Sequence, residues 1–384
     1  MNTTECKQTL PLEGVRVVEF SHMVMGPTCG MILADLGAEV IKIEPAEGDK
    51  TRKMSGLGMG FFRTYNRNKK SMVLDIKTEE GRQTLMDLLA TSDVMLENFR
   101  PGLMDSLGLG YEVLSQRFPS LVYVSHKGFL PGPYEKRLAL DEVVQMMGGL
   151  AYMTGPEGRP LRVGASVNDI MGGMFGAIGV LAALIERGKT GQGKEIQSAL
   201  FENCVFLCAS HMQQFAMSGE AAPPLPSRVS PWTVYDVFSV GGGEQLFIGA
   251  VSDKQWIQLC EVLGRDDLLA DPNLQTNEQR LLVRHELLAN IEKSMQQYSA
   301  EELSALLDKA GLPYAPITRP DELLQDEHLI ASGGLVPIQA DDGSQASTVL
   351  LPLMLGGQRP PVRMPLPRVG EHTEEILKSL AGRR

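Results

Sequence analysis

The sequence predicts an α/β fold with a second, smaller α+β region. Three observations carry that prediction. A β-branched run over residues 14–20, a helical pattern over 28–36 and a second β-branched run over 38–44 make a β-α-β unit, which implies parallel strands joined by a right-handed crossover. Strand-like and helix-like stretches then alternate as far as Ser125. The stretch Ala221-Ala-Pro-Pro-Leu-Pro226 reads as a linker, and the texture of the chain changes after it.

The first strand covers 14–20, Ser21 to Pro27 turns the chain, and a helix follows to Leu36, closed by Gly37. The second strand ends at Glu44. A β-α-β unit invites a dinucleotide reading, but the G-x-G-x-x-G fingerprint is absent: the loop offers only Gly26 and Gly30. The missing fingerprint argues against a nicotinamide-dependent oxidoreductase. Residues 46–70 are irregular and basic. Further strands are expected at 72–76, 94–99 and 121–125, with a helix at 79–92. In such sheets ligands gather at the carboxyl ends of the strands, here the loops after Phe20, Glu44, Phe99 and Ser125.

Helices are expected at 141–150, 166–187 and 198–216, with a short strand from 194 to 196. Beyond the linker, 235–240 and 245–250 flank Gly241-Gly-Gly-Glu and read as a hairpin. Helices at 253–263, 276–297 and 299–310 and a strand near 313–317 complete the smaller region. From 335 onward proline and glycine are dense, so that segment is expected to wrap over a folded surface with little regular structure. A last helix covers 373–380.

Asp169 is the residue that draws attention. It opens a glycine-dotted apolar run in which Met171, Phe175, Ile178, Leu181 and Leu184 recur at helical spacing, an expected inward stripe. Gly172, Gly173 and Gly176 let another backbone or a ligand come close. The carboxylate has two readings: an N-cap for its own helix, or a nucleophile ionised at neutral pH and held within reach of an electrophilic carbonyl. Cys204, Cys208 and His211 share one face of the next helix but lack a fourth ligand, so they read as core and no metal site is expected.

The formal net charge is −11 and the pI ≈ 5.2, which argues against sequence-independent nucleic-acid binding. No signal-peptide pattern opens the chain and no run of about 18 uninterrupted apolar residues occurs. The five cysteines are few and odd in number, as in a reducing compartment. A cytoplasmic protein with no membrane span is the expectation.

Several ordered stretches resemble one family. They are Leu12-Glu-Gly-Val-Arg-Val-Val-Glu-Phe20, Gly26-Pro27, Leu36-Gly-Ala-Glu-Val-Ile-Lys-Ile-Glu44, Asn68-Lys-Lys-Ser-Met-Val-Leu-Asp75, Asp93-Val-Met-Leu-Glu-Asn-Phe-Arg-Pro-Gly102, Gly164 to Asp169 with the glycines after it, and Gly370-Glu-His-Thr373. Together they resemble the family III (CaiB/BaiF-type) CoA-transferases. The resemblance implies a large Rossmann-like CoA-binding domain built from 1–220 and 335–384, a small α+β domain over 226–330, and linkers at 221–225 and 331–334. It also implies an interlocked homodimer, acyl-CoA and small carboxylic acids as substrates, and no permanently bound cofactor. Asp169 matches the family's catalytic aspartate.

For CoA the resemblance points to His22, Met23, Val24 and Met25, to Asn98 and Phe99, and to Lys127. The basic run Arg67, Lys69 and Lys70 is a candidate phosphate contact. Pro45 departs from members that carry an arginine there. The sister racemases need a histidine where this chain has Leu140, and leucine cannot move a proton. The stretch from Ser125 to Gly149 is most similar to the branch acting on small dicarboxylates. That implies transfer of CoA from a donor such as succinyl-CoA to a C4 or C5 acid of the itaconate or mesaconate class. The alternative is transfer between the carboxylates of one mesaconyl-type ester. Arg137, Arg162 and Arg228 are candidates to bind a second carboxylate.

Overall fold

Six parallel strands form the main sheet: β1 (Arg16–Phe20), β2 (Glu39–Glu44), β3 (Lys69–Val73), β4 (Val94–Glu97), β5 (Val122–Lys127) and β6 (Glu195–Ala199). Their order is β3-β2-β1-β4-β5-β6, and every neighbouring pair is parallel. The computed structural model describes residues 9–228 and 230–382. Strand order reverses between β1 and β4, so the loops after Phe20 and Glu97 diverge there and leave a crevice.

β3 begins three residues before the expected run at Met72. Its first residue, Lys69, is fully buried, because its ammonium lies 2.8 Å from Glu19. Hydropathy alone cannot foresee a lysine inside a sheet when its partner lies on another strand.

Two compact units divide the chain: Met1–Ser227 with Glu327–Arg384, and Arg228–Asp326. The expected small domain thus gives up 226–227 and 327–330 to the large unit, as do both expected linkers. The reason is packing: the turn Leu225–Ser227 rests on helix Leu150–Thr154, and helix Glu327–Ala331 rests on the strand that follows it. The second unit has its own three-stranded antiparallel sheet, β7 (Val234–Ser239), β8 (Gln245–Ala250) and β9 (Tyr314–Pro316). Leu246, Ile248, Leu259, Leu303 and Leu307 fill its core. The single helix expected over 276–297 is two, Asn277–Leu282 and Arg284–Met295.

The C-terminal segment returns to the large unit. It is more regular than expected, since β10 (Leu335–Gln339) and β11 (Gln345–Val349) pair as a hairpin. Asn68, held at φ 60°, fastens the segment: its side-chain oxygen accepts from the backbone of Met364 at 2.8 Å and its amide donates to Asp35 at 2.8 Å.

The long helix Val167–Thr190 keeps only part of the expected stripe: Leu181 and Leu184 pack on the core, but its first half docks another face. Its buried residues are Asn168, Gly172, Gly173, Gly176, Ala177, Val180 and Ala183, while Phe175 and Ile178 are exposed. Side chains built on the glycines would collide with helix Met25–Asp35: a Cβ on Gly173 would lie 2.6 Å from the Met25 carbonyl oxygen. The small face therefore docks and the large face turns outward. By length and a mean hydropathy of 1.6 this helix passes for a membrane span, but here its small face packs on helix Met25–Asp35 and on β5 and β6.

Candidate active site

The crevice opens into a cavity of ≈ 520 Å³ at the carboxyl ends of β1, β4 and β5. One wall is the loop His22–Val24 and the start of helix Met25–Asp35, and another is Asn98, Phe99 and Arg100. Asn98 ties these walls together: its side chain accepts from His22 N–H at 3.0 Å and donates to His22 C=O at 2.7 Å. The His22 ring stacks on Phe99 with centroids 5.4 Å apart. Met23 holds φ 63°, an unusual conformation for a non-glycine residue. From below, the Lys42 ammonium donates to Ser21 C=O at 2.6 Å and Lys69 to Pro27 C=O at 2.9 Å. Both ends of the loop are thus held by buried cations.

Asp169 is the third residue of helix Val167–Thr190 and lines the cavity. Among the described residues its carboxylate has no hydrogen-bond or ion-pair partner, so it is not the cap of its own helix. Ser166 holds the cap position without a side-chain bond, and Asp141, 27 residues earlier, accepts from Asn168 N–H at 3.0 Å. Burial, then the carboxylates of Asp141 and Glu142, push the Asp169 pKa up to about 7. The expectation of a carboxylate ionised without help at neutral pH is therefore corrected: in the unliganded protein burial and like charges favour the protonated form of Asp169. The helix N-terminus favours the anion by only about 0.3–1 kcal/mol, too little to cancel burial and two like charges.

The structure brings His22, Met23, Val24, Met25, Asn98, Phe99, Lys127 and Arg137 to the cavity of Asp169. It does not bring Arg67, Lys69 or Lys70 there, and their assignment to phosphate is corrected. Arg67 is buried against Asp35, 2.6 Å away. Lys69 is buried against Glu19. Lys70 bridges Glu39 and Glu375 at 2.8 and 2.6 Å. A phosphate would have to displace these carboxylates, at the cost of leaving them unpaired. Arg162 lies outside the cavity, its guanidinium taken by Glu142 at 2.6 Å. Arg228 is the first residue of the second unit.

Arg100 and Lys50 were not singled out from sequence. Arg100 lines the main cavity, and Lys50 lines an adjoining ≈ 280 Å³ hollow beside Ile43, Pro45 and Phe99. Arg100 stands inside the Asn98–Gly102 motif, which was the available signal. His126 lines the cavity with its Nδ1 3.2 Å from the Glu97 carbonyl oxygen. Burial draws its pKa down to about 4, so it is neutral. Leu140, at the position where a racemase needs a proton carrier, also faces the cavity. No group of three or more His, Cys, Asp or Glu that could hold a metal occurs among the described residues.

A parallel-sheet crevice with cations along it and an unpaired carboxylate at its end is laid out for acyl transfer from an anionic carrier. The chain belongs to CoA-transferase family III, whose model matches residues 12–373, and it is an enzyme of the transferase class. It is 32% identical over 383 residues to the succinyl-CoA–D-citramalate CoA-transferase of Chloroflexus aurantiacus, covering 97% of this chain and 94% of that relative. It is also 32% identical over 404 residues to a formyl-CoA:oxalate CoA-transferase of Rhodopseudomonas palustris, with 97% and 94% covered. A CaiB/BaiF family protein from Brucella suis superposes with a TM-score of 0.88 at 33% identity, over 97% of this chain and 100% of that one.

Proposed function

We propose that the protein transfers CoA from a donor such as succinyl-CoA to a C4 or C5 dicarboxylate, through a thioester formed on Asp169. The observation that carries this reading is the partnerless Asp169 carboxylate facing a cavity lined by Arg100, Lys127 and Arg137.

The steps follow from that placement. An Asp169 oxygen attacks the thioester carbonyl, the C–S bond breaks, and CoA thiolate leaves behind a mixed anhydride. The thiolate then attacks the Asp169 carbonyl, which gives an aspartyl-CoA thioester and releases the donor acid. The acceptor carboxylate attacks that thioester, forming a second anhydride and freeing the thiolate again. The thiolate attacks the acceptor's acyl carbonyl, yielding the new acyl-CoA and regenerating Asp169. Each step exchanges acyl groups without a general base.

Each tetrahedral intermediate carries an oxyanion. The first-turn N–H groups of helix Met25–Asp35 have no intrahelical acceptor, and Val24 offers no side-chain cap. They are better placed than Gly172 and Gly173, which lie within the long helix, to stabilise that charge. Arg100, Lys127 and Lys50 are assigned to the CoA phosphates, and Arg137 to the acceptor's second carboxylate. Arg137 already stacks 4.9 Å from the Tyr134 ring centre, which leaves its in-plane N–H groups for a bidentate partner. The relative from Chloroflexus, whose name couples succinyl-CoA to another small dicarboxylate, supports this substrate class. Exposed Phe175, Ile178, Phe206, Met212 and Phe215 on two long helices support a homodimer that covers them.

Mass spectrometry of CoA exchange tests the proposal. Succinyl-CoA is offered with itaconate, mesaconate, malate, glutarate or oxalate, using wild type and Asp169→Ala. A new C4 or C5 acyl-CoA with wild type only is the expected result. An oxalyl-CoA product alone would replace the substrate class, and no exchange with any acid would overturn the reading. A mesaconyl-CoA that isomerises with no acceptor present would show the intramolecular reaction instead.

A further inference from the structure

Asp141 is 4% exposed although it is the first residue of its helix, Asp141–Met147. Both of its oxygens are engaged. One accepts from Asn168 N–H at 3.0 Å. The other accepts from Gln145 Nε2 at 2.7 Å and from Asn168 Nδ2 at 3.4 Å. Gln145, fully buried, accepts in turn from Val163 N–H at 2.8 Å. One turn of this helix therefore grips residues 163 and 168, and Asp169 is the next residue along. No local side chain does this work, since Ser166 makes no cap bond.

Resting on the assignment of Asp169 as nucleophile, we infer that Asp141 is its positioning residue, holding from a separate helix the turn that carries it. Asp141 also borders the cavity, but both its oxygens are taken by Asn168 and Gln145, and no role at the thioester or acceptor is assigned to it. Its task is to supply the missing cap, which fixes the backbone at 168, and to satisfy Gln145, which fixes the backbone at 163. A reacting oxygen must stay within a fraction of an ångström of its course, and losing that control costs rate rather than binding. The charge of Asp141 has a second effect. Lying beside Asp169, it favours the protonated nucleophile, together with Glu142. The other titratable groups about Asp169 are Tyr65, whose phenol feels the Asp169 charge, neutral His126, His22, and the cavity cations Arg100, Lys127 and Arg137.

Two substitutions separate the two effects. Asp141→Asn keeps an acceptor for Asn168 N–H but removes the charge and the bond from Gln145. Asp141→Ala removes the cap as well. In the succinyl-CoA exchange assay from pH 5 to 9, Asp141→Asn is expected to move the acid limb of kcat/KM down by about half a unit to one unit. Asp141→Ala is expected to lower kcat by about 10- to 100-fold with KM for succinyl-CoA changed less than threefold. Wild-type pH midpoints in both variants, or an Asp141→Ala kcat within threefold of wild type, would overturn the inference. So would a loss confined to KM. Should Asp141→Ala not fold, Asp141→Asn decides through kcat, which the lost bond from Gln145 is expected to lower by more than about threefold with KM unchanged; a wild-type kcat would overturn the inference. The assignment of Asp169 is judged separately, since it fails when wild type shows no exchange or Asp169→Ala retains it.

Discussion

Replacing Asp169 by asparagine should stabilise the protein, and only at high pH. Asparagine keeps the shape of the side chain and removes its charge. The Asp169 pKa is pushed up to about 7 from an ordinary 3.8. Three units at about 1.4 kcal/mol each set a ceiling of about 4 kcal/mol on what the charge costs the folded state. Partial solvent access and the helix N-terminus act against that cost, so about 2 kcal/mol is expected. The sign follows from linkage. Between pH 3.8 and 7 the folded state holds a proton that the unfolded state releases, so wild type loses stability as pH rises through that window. The advantage of asparagine is absent near pH 4 and complete above pH 8. Thermal melting of both proteins at pH 5 and pH 8 reads it: one kcal/mol is about 1 °C in a chain of 384 residues, so the variant should melt about 2–3 °C higher at pH 8. An equal difference at both pH values, or a lower melting point at pH 8, would refute the reasoning.

Other outcomes follow from the same geometry. Wild-type kcat/KM should fall about tenfold per pH unit below pH 7, as free Asp169 takes up its proton; a flat profile to pH 5 would contradict the raised pKa. Arg67→Ala leaves Asp35 buried with half its partners and should cost about 3–5 kcal/mol, read as a lost or lowered melting transition, whereas Lys70→Ala should change KM for succinyl-CoA less than twofold. Arg137→Gln should reduce the kcat/KM preference for dicarboxylates over monocarboxylates by about 10- to 100-fold, the weight of a charge-assisted hydrogen bond, with monocarboxylate rates unchanged. His126 is buried with a pKa of about 4, below its unfolded value of 6.5, so the unfolded state binds the extra proton and stability falls as pH drops from 6.5 to 4. His126→Gln should flatten that slope in urea titrations.

Local sequence signals marked much of this architecture. The β-α-β start, the strand at 94–97, the hairpin of the second unit and Asp169 all follow from alternation, turn residues and motif order. What escaped depends on pairs distant in sequence. Lys69 is a sheet residue because Glu19 pairs with it, and no window around position 69 contains that glutamate. The docking face of Val167–Thr190 was misjudged at Phe175 and Ile178, though not at Leu181 and Leu184, because close helix packing there selects glycine, not bulk. Sequence left a cap reading open for Asp169 because it stands near the helix start, whereas the group that caps the helix, Asp141, arrives from 27 residues away.

The central claim is that Asp169 itself carries CoA. Wild type incubated with succinyl-CoA, quenched in acid and analysed by intact and peptide mass spectrometry, tests it directly. The expected result is a CoA adduct on the peptide containing Asp169, converted by hydroxylamine to a hydroxamate at that residue and lacking in Asp169→Ala. An adduct elsewhere, or full exchange activity in Asp169→Ala, would contradict the account.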